Sequence, residues 1–410
     1  MISERDATLA QVATGTLSKE ESKELLDLCR AGRLFAVERW IASGRSIRVF
    51  TSRKKTPLDL AVEMGFHSLL EVLARAEPDQ GLRNRALNTA VKKKRLDLIQ
   101  LLLELGADIR SVPLADVFLT WEPSIIQYFL ENGADAITDA PFAVGFGEHV
   151  RTLLRPFVNY RDAHPELLDQ LQPQVDQALR FAAKEGDLKW VSMMLWAGAN
   201  PRTPGPNLFE GHKDDPEAYT TAVEEACFVD NVEILKKFKV HPDTDNIVDL
   251  LGSAALLGKD GAFNYLLGLG VNLNDKSNGG SSALDNCLNR FGLEGFDLFH
   301  RHQAISRYAM SGVFGMVQKL VEAGALWRPE AYHVNSFRRS LFRCEPQVTV
   351  EVVKVLVESH AATHEVLERL LTTPKMRQHL TGLGINLPQA NHQKARSQAR
   401  RPSQSAKQAS

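Results

Sequence analysis

Two short motifs in the sequence carry residue types that could bind a nucleotide or a metal. Residues 252–259, GSAALLGK, approximate a phosphate-binding loop, but five residues instead of four separate the two glycines. Asp260 also stands where that loop needs a magnesium-binding hydroxyl. Residues 364–368, HEVLE, have a glutamate where a zinc-protease helix needs its second histidine. The segment is instead typical of the start of a helix, where acidic residues favour the positive end of the helix dipole. Both motifs therefore favour ordinary helix segments over catalysis.

The histidines and cysteines do not form a recognisable metal site. His300 and His302 could share an ion, but no cysteine or acidic cluster lies nearby to complete the ligand set that zinc requires. We expect a solvated or partner-facing loop there. No C-x-x-C pair occurs among the cysteines, which are Cys29, Cys227, Cys287 and Cys344. We expect these thiols to be small core residues, and we predict no catalytic residue, no cofactor and no metal.

Clusters of lysine and arginine are the strongest candidates for a binding site. They lie in residues 45–55 and 80–96, and neither range contains an acidic residue. Such clusters indicate docking of an acidic partner, or alternatively a solvated face. A tryptophan near them is either packed or an exposed anchor. The predicted partner-binding residues are Arg53, Lys54, Lys55, Arg83, Arg85, Lys92, Lys93, Lys94, Arg95 and Trp121. A weaker cluster comprises Arg338, Arg339 and Arg343.

Short repeated helix pairs are the elements that must position these clusters. Residues 56–65, TPLDLAVEMG, begin with a hydroxyl N-cap and a proline and end on glycine, which predicts a short helix. Ser18 and Glu21 form a capping-box pattern at the first unit. A frame of fixed length then recurs along the chain, at residues 32–44, 94–106, 121–133, 186–198, 258–270, 312–324 and 348–360. Several of these segments end in L-L-x-x-G-A-D or a close variant.

The TPLDLA segment closely resembles the ankyrin-repeat consensus T-P-L-H-x-A, with Asp59 in place of histidine. The resemblance implies an all-α solenoid of stacked helix-turn-helix units joined by short hairpin fingers. It also implies that the fingers and first helices form a concave recognition surface. Equivalent positions of successive units line up in a solenoid, so the two basic clusters are expected to form one basic ridge.

The domain organisation follows from where the repeat pattern is clear. We predict a polar segment at 1–17, ankyrin repeats at 18–135, a degenerate segment at 136–174 and further repeats at 175–387. Loop insertions are expected at 200–219 and 289–303. Residues 388–410 are rich in Gln, Ser, Lys and Arg, and we expect a disordered basic tail there.

Composition limits the class of protein. The 410 residues are 44% hydrophobic and 24% charged, with a formal net charge of −1, which is ordinary for a globular protein. Near-zero charge argues against coating nucleic acid along the whole length. We find neither a secretory signal nor an apolar stretch long enough to cross a membrane. Four dispersed cysteines favour a reducing compartment, and we expect a cytoplasmic protein.

These observations predict a non-enzymatic scaffold or regulator that binds another protein, one with an acidic surface. A nucleic-acid-associated protein that uses the basic ridge and tail is an alternative. A regulatory or immunity subunit of a separately encoded enzyme is another. The sequence leaves the identity of the partner and the oligomeric state open.

Overall fold

The computed structural model describes residues 15–49, 55–206, 219–277, 280–288, 307–330, 333–335, 337–338, 346–370, 374–382 and 384–385. Contacts divide the chain into two compact units, residues 1–183 with 187–222 and residues 184–186 with 223–410. Several sequence predictions lie outside the described residues: Arg53, Lys54, His300, His302, Arg339, Arg343, Cys344, the 289–303 insertion, the 388–410 tail and most of the 200–219 loop.

The first unit consists of short helices in series. The helices are α1 (Lys19–Arg30), α2 (Leu34–Ala42), α3 (Pro57–Met64), α4 (His67–Ala76), α5 (Gln80–Lys92), α6 (Leu96–Glu104), α7 (Leu114–Phe118), α8 (Pro123–Glu131), α9 (Pro141–Gly147), α10 (Leu154–Ala163), α11 (Leu168–Glu185, whose last residues join the second unit) and α12 (Leu188–Trp196). Single 3-10 turns lie at Ile109–Ser111, Arg151–Leu153 and Pro165–Leu167. Two short strands, β1 (Gly205–Pro206) and β2 (Tyr219–Thr220), pair antiparallel, with Gly205 opposite Thr220.

The predicted helix starts are confirmed by their hydrogen bonds. Ser18 and Glu21 form the expected capping box at the start of α1. Thr56 accepts from the backbone N–H of Asp59 at 3.1 Å, and the Asp59 carboxylate accepts from the backbone N–H of Thr56 at 2.9 Å. Pro57 occupies the first position of α3, where no N–H is needed. Each box satisfies two helix donors that would otherwise lack partners.

The helices stack in the manner of ankyrin repeats. The first helices of successive pairs contact each other, α1 with α3 and α3 with α5, and the second helices do the same, α2 with α4 and α4 with α6. No pair this short can bury its apolar face alone, so stacking supplies the core. Leu25, Leu70 and Leu98 are fully buried on three different helices of this stack. The predicted all-α, ankyrin-type repeat fold is confirmed.

Left-handed backbone turns mark both ends of the predicted frame. Five frames begin and end on residues with positive φ: Gly32 and Gly44, Lys94 and Gly106, Trp121 and Gly133, Gly186 and Gly198, and Gly258 and Gly270. The first residue of each pair lies between the two helices of a unit, and the second follows the second helix. Lys94 has φ of 57° and Trp121 has φ of 62°, so two bulky residues adopt a conformation that favours glycine.

The segment expected to be degenerate, residues 136–174, contains helices and an aromatic core. Phe142 on α9 lies 4.9 Å, centroid to centroid, from both Phe118 and Phe157, and Phe146 lies 5.4 Å from Phe157. All four of these phenylalanines are fully buried. The buried side chain of Gln174 accepts from the Phe142 N–H at 2.9 Å and donates to the carbonyl of Ala136 at 3.0 Å. Residues 136–174 therefore pack around an aromatic core.

The second unit continues the helical pattern. Its helices are α13 (Ala222–Phe228), α14 (Val232–Lys237), α15 (Ile247–Leu257), α16 (Asp260–Leu267), α17 (Arg307–Glu322), α18 (Pro346–Glu358), α19 (His364–Leu370) and α20 (Pro374–Gly382), and residues 283–288 are also helical. The second helices α14 and α16 contact each other as in the first unit. Two frames lack the predicted turn at their start: α17 runs through Gly312 and α18 runs through Val348, so neither residue separates two helices. A single glycine costs a helix only about 1 kcal/mol, so the longer helix tolerates it.

Replacing Lys94 by glycine should stabilise the protein by about 0.5–1 kcal/mol, because glycine adopts positive φ without a steric penalty. Lys92, two residues earlier, ends α5 with helical geometry, so Lys92→Gly should destabilise the protein by a similar amount. Denaturant unfolding of both variants measures the two changes. Equal destabilisation by both substitutions would contradict the turn assignment.

Candidate functional site

The predicted basic residues lie in two separate places. Lys55 precedes α3, and Arg83 and Arg85 lie on the first turns of α5; we call these three residues the finger end. Their placement corrects one expectation, because Arg83 and Arg85 belong to a helix and not to a finger. The Asp79 side chain accepts from the N–H of Gly81 at 2.8 Å and so caps α5 before both arginines.

The finger end is largely neutralised by acidic residues from other parts of the fold. Arg85 Nη2 lies 3.0 Å from Oδ2 of the buried Asp59, and Lys55 Nζ lies 2.6 Å from Glu63 Oε2. The guanidinium of Arg83 donates to the backbone carbonyl of Glu77. Stacking of α3 on α5 brings Asp59 to Arg85, whose own sequence segment contains no acid, whereas Glu63 follows Lys55 by eight residues in the same unit. Two of the three cations of the finger end, Lys55 and Arg85, are therefore already paired with carboxylates.

Arg45, in the same basic stretch of sequence, also has an internal role. Its guanidinium carbon lies 3.5 Å from the ring centroid of the buried Trp40. Stacking of this kind uses the cation to cover an aromatic face. Of the weaker cluster, the structure describes Arg338, which donates to the side chain of Asn335.

The other predicted basic residues lie at the opposite end of α5. Lys92, Lys93, Lys94 and Arg95 form the turn between α5 and α6, and Trp121 occupies the equivalent turn between α7 and α8. We call these five residues the turn edge. A helix rises 1.5 Å per residue, so about 10 Å of α5 separates Arg85 from Lys92. The expected single ridge is therefore two separate groups of cations.

Positive charge at the turn edge is only partly balanced. Arg95 donates twice to Asp97, at 2.8 and 2.6 Å, and this hydrogen bonding lowers the pKa of the Asp97 carboxyl. Lys94 Nζ lies 3.9 Å from Glu122 Oε1 on the next turn. Lys92 and Lys93 are exposed, and neither forms an ion pair or hydrogen bond with any described residue. Lys92 and Lys93 are therefore two turn-edge cations without a partner in the described part of the chain.

Trp121 lies beside these cations. Its side chain is 43% exposed, and its backbone N–H donates to the carbonyl of Phe118 at 3.0 Å, which closes the turn. The contact between Lys94 and Glu122 shows that the two turns are neighbours. The turn edge thus combines exposed lysines with a half-exposed indole, while Trp40, Trp190 and Trp327 are buried.

A cleft in the same unit was not predicted from the sequence. It has a volume of about 920 Å³ and lies between residues of α8, α10 and α12. Leu130, Leu154, Pro156 and Tyr160 contribute to its lining. Trp196 at the end of α12 also lines it and is 61% exposed. No sequence signal identifies this cleft, because its residues come from three repeat units.

The two motifs considered for nucleotide and metal chemistry lie in helices. Residues 252–257 belong to α15, and Gly258 ends that helix with a left-handed conformation. Residues 364–368 form the start of α19, where the N–H of Val366 donates to Thr363 Oγ1 at 3.4 Å. Among the described residues, no three His, Cys, Asp or Glu side chains form a possible metal site. None of the helices in the described part of the chain combines the length and apolar character of a membrane span.

The cysteines that the structure describes, Cys29, Cys227 and Cys287, are buried and are not in disulfides. Burial raises the pKa of Cys29 to about 12 and that of Cys227 to about 12, because the apolar interior disfavours the thiolate. The raised pKa values agree with the expectation that these residues pack in the core.

Cys29 and Cys227 should therefore resist alkylation by iodoacetamide in the native protein at pH 8. A thiol with a pKa of about 12 is ionised there in only about one molecule in 10⁴, and burial also blocks the reagent. Both should react fully once the protein is unfolded in guanidinium chloride. Peptide mass spectrometry locates the modified residues, and rapid native labelling of either one would contradict their burial.

Comparisons with known proteins yield structural likeness only. No family model matches the sequence, and no curated protein matches significantly. The human ASB11 ankyrin repeat domain shares 17% sequence identity with this chain. The alignment covers 71% of this chain and 96% of that domain, with a TM-score of 0.25. The ankyrin repeat domain of Bcl-3, a member of the IkappaB protein family, is 17% identical, with 63% and 91% covered and a TM-score of 0.29. The chain has an ankyrin-type repeat fold, as its own stacked helix pairs and left-handed turns show.

Proposed function

We propose that the chain is a non-enzymatic protein-interaction module that binds a partner with an acidic surface through the turn edge. The observation that carries this proposal is the pair of exposed lysines, Lys92 and Lys93, which have no partner among the described residues and lie on the turn next to that of the half-exposed Trp121. Tryptophan is a frequent anchor of protein interfaces, and clustered cations steer an acidic partner toward it.

The distribution of ion pairs favours the turn edge over the finger end. Lys55 and Arg85 already have a carboxylate within 3.0 Å, and a partner would have to displace it. Lys92 and Lys93 have no such competitor among the described residues. We therefore assign recognition to the turn edge and regard the finger end mainly as a contribution to stacking.

A reducing compartment such as the cytoplasm suits this protein. Cys29, Cys227 and Cys287 are buried and are not in disulfides, and thiols stay reduced in such a compartment.

Charge reversal tests the proposal. Affinity purification from the source cells with Lys92→Glu and Lys93→Glu together should reduce recovery of the specific partner about ten-fold, because like charge now repels it. Trp121→Ala should have a similar effect through loss of the anchor. The matched control, Lys236→Glu with Lys237→Glu, makes the same charge change on exposed residues of α14 and should leave recovery unchanged. Equal recovery by all variants would refute the proposal.

Salt separates this function from the nucleic-acid alternative. Binding to phosphates weakens steeply and log-linearly with salt, whereas an interface anchored by Trp121 should retain most of its affinity. A steep salt slope together with loss of binding after nuclease treatment would support the alternative instead.

A further inference from the structure

The cleft between α8, α10 and α12 has two features that point to a ligand. The first is the exposed apolar surface of Trp196, whose side chain contributes little to the core because 61% of it faces solvent. On the same helix, Trp190, Val191 and Met194 are buried and suffice to hold α12 in place. An indole left in water at the edge of an apolar cleft is available for burial by another molecule.

The second feature is unpaired positive charge at the same place. Arg151 and Arg155 both line the cleft and are exposed. Arg151 lies in the 3-10 turn that precedes α10 and Arg155 in the first turn of α10, and both line the same cleft. Neither guanidinium has an ion pair or a hydrogen bond with any described residue. By contrast, the guanidinium of Arg161 already has partners. Its Nη1 donates to the carbonyl of Ala197 at 2.6 Å, and its Nη2 lies 2.9 Å from Asp162 Oδ1.

The net charge of the residues that line the cleft remains positive when its other charged groups are included. Glu131 lines the cleft as an acidic residue, and its Oε1 accepts from Gln127 at 2.7 Å. His164 also lines the cleft, with its Nδ1 3.0 Å from Glu166 Oε1. Two free arginines therefore face one carboxylate that already has a hydrogen-bond partner.

We propose that this cleft binds a segment of a partner protein in which a large apolar side chain is flanked by carboxylates. The apolar side chain would pack against Trp196, Leu154 and Leu130. The carboxylates would pair with Arg151 and Arg155, whose forked donors match that geometry. This surface is distinct from the turn edge, and the proposal stands without it.

Peptides fit this cleft better than nucleic acid does. Among the described residues that line the cleft, two cations lack a partner, and Glu131 would repel a phosphate backbone. Tyr160 and Trp196 could each stack a base, but Leu130, Leu154 and Pro156 could not, so the lining favours apolar side chains over a run of successive bases. A polypeptide can instead alternate apolar and acidic groups at the spacing that the cleft presents.

The test uses a random twelve-residue peptide library displayed on phage and selected against the full-length protein. Selected peptides should combine Asp or Glu with an adjacent aromatic or large aliphatic residue. Fluorescence polarisation with a labelled selected peptide then measures affinity. Arg151→Ala with Arg155→Ala should weaken binding about ten-fold or more, and Trp196→Ala should do the same, as expected for anchor residues.

Controls separate the cleft from the rest of the unit. Lys19→Ala with Lys23→Ala removes two positive charges four residues apart at exposed positions of α1 and should change the affinity less than about two-fold. Circular dichroism should be unchanged in every variant, because the substituted residues are exposed. Selection without an acidic-apolar consensus, or full binding by the Arg151 and Arg155 variant, would overturn the proposal. Competition by oligo-dT at equal concentration, or a dimer in solution that buries Trp196, would also overturn it.

Discussion

Replacing Phe142 by alanine should destabilise the first unit by about 3–5 kcal/mol, the usual cost of deleting a fully buried phenylalanine. The ring is inaccessible to solvent and lies 4.9 Å from the rings of both Phe118 and Phe157. It therefore joins α7, α9 and α10, and its loss leaves a cavity that three helices would have to close. Hydrogen exchange of peptides from residues 96–183 should accelerate markedly.

The neighbouring Val144 is the matched control. It lies on the same helix but is 44% exposed, so Val144→Ala should change the free energy of unfolding by less than about 0.5 kcal/mol. If Phe142→Ala costs less than about 1 kcal/mol, then residues 136–174 do not form part of the stacked core.

Replacing Asp285 by alanine should destabilise the second unit by about 2–4 kcal/mol, because it leaves buried donors without an acceptor. Asp285 Oδ2 accepts from the backbone N–H and the hydroxyl of Ser282, both at 2.9 Å. Its Oδ1 accepts from Nε1 of the fully buried Trp327 at 3.1 Å. One carboxylate thus caps its own helix and holds a tryptophan 42 residues away.

Two further variants isolate the cause of this loss. Asp285→Asn keeps one oxygen acceptor, so it can satisfy Trp327 or Ser282 but not both, and its effect should be intermediate. Glu21→Ala removes the corresponding carboxylate from the solvent-accessible capping box of α1 and should have a much smaller effect. Denaturant unfolding ranks the three variants. An Asp285→Ala effect no larger than that of Glu21→Ala would show that the bond to Trp327 contributes nothing.

Local signals in the sequence predicted the repeat fold well. The capping box at Ser18, the Thr56-Pro57 helix start and the glycines of the recurring frame all act within a few residues, so they can be identified without the structure. Spacing alone also placed Trp121 in a turn that normally needs glycine, and its φ of 62° confirms this. The same spacing wrongly predicted a turn at Gly312, which lies inside α17, because a single glycine also fits inside a helix.

The site was harder to predict because its charges are paired across repeats. Asp59 and Arg85 are 26 positions apart, yet stacking brings their side chains to 3.0 Å. A basic segment of sequence therefore does not show which of its cations remain free. Asp59 and Asp285 illustrate the same point, since each occupies the third position of a first helix and also accepts from a later repeat. The cleft at Trp196 depends on three units and has no local pattern.

Site-specific photo-cross-linking tests the central claim, that the turn edge contacts the partner. Benzoylphenylalanine replaces Trp121 in one variant and Tyr219, an exposed aromatic residue of the same unit, in another. Each protein is irradiated in lysate of the source cells, and the cross-linked species are identified by mass spectrometry. The partner that copurifies with the unmodified protein should cross-link at position 121 and not at position 219. Cross-linking at position 219 without cross-linking at position 121 would contradict the claim.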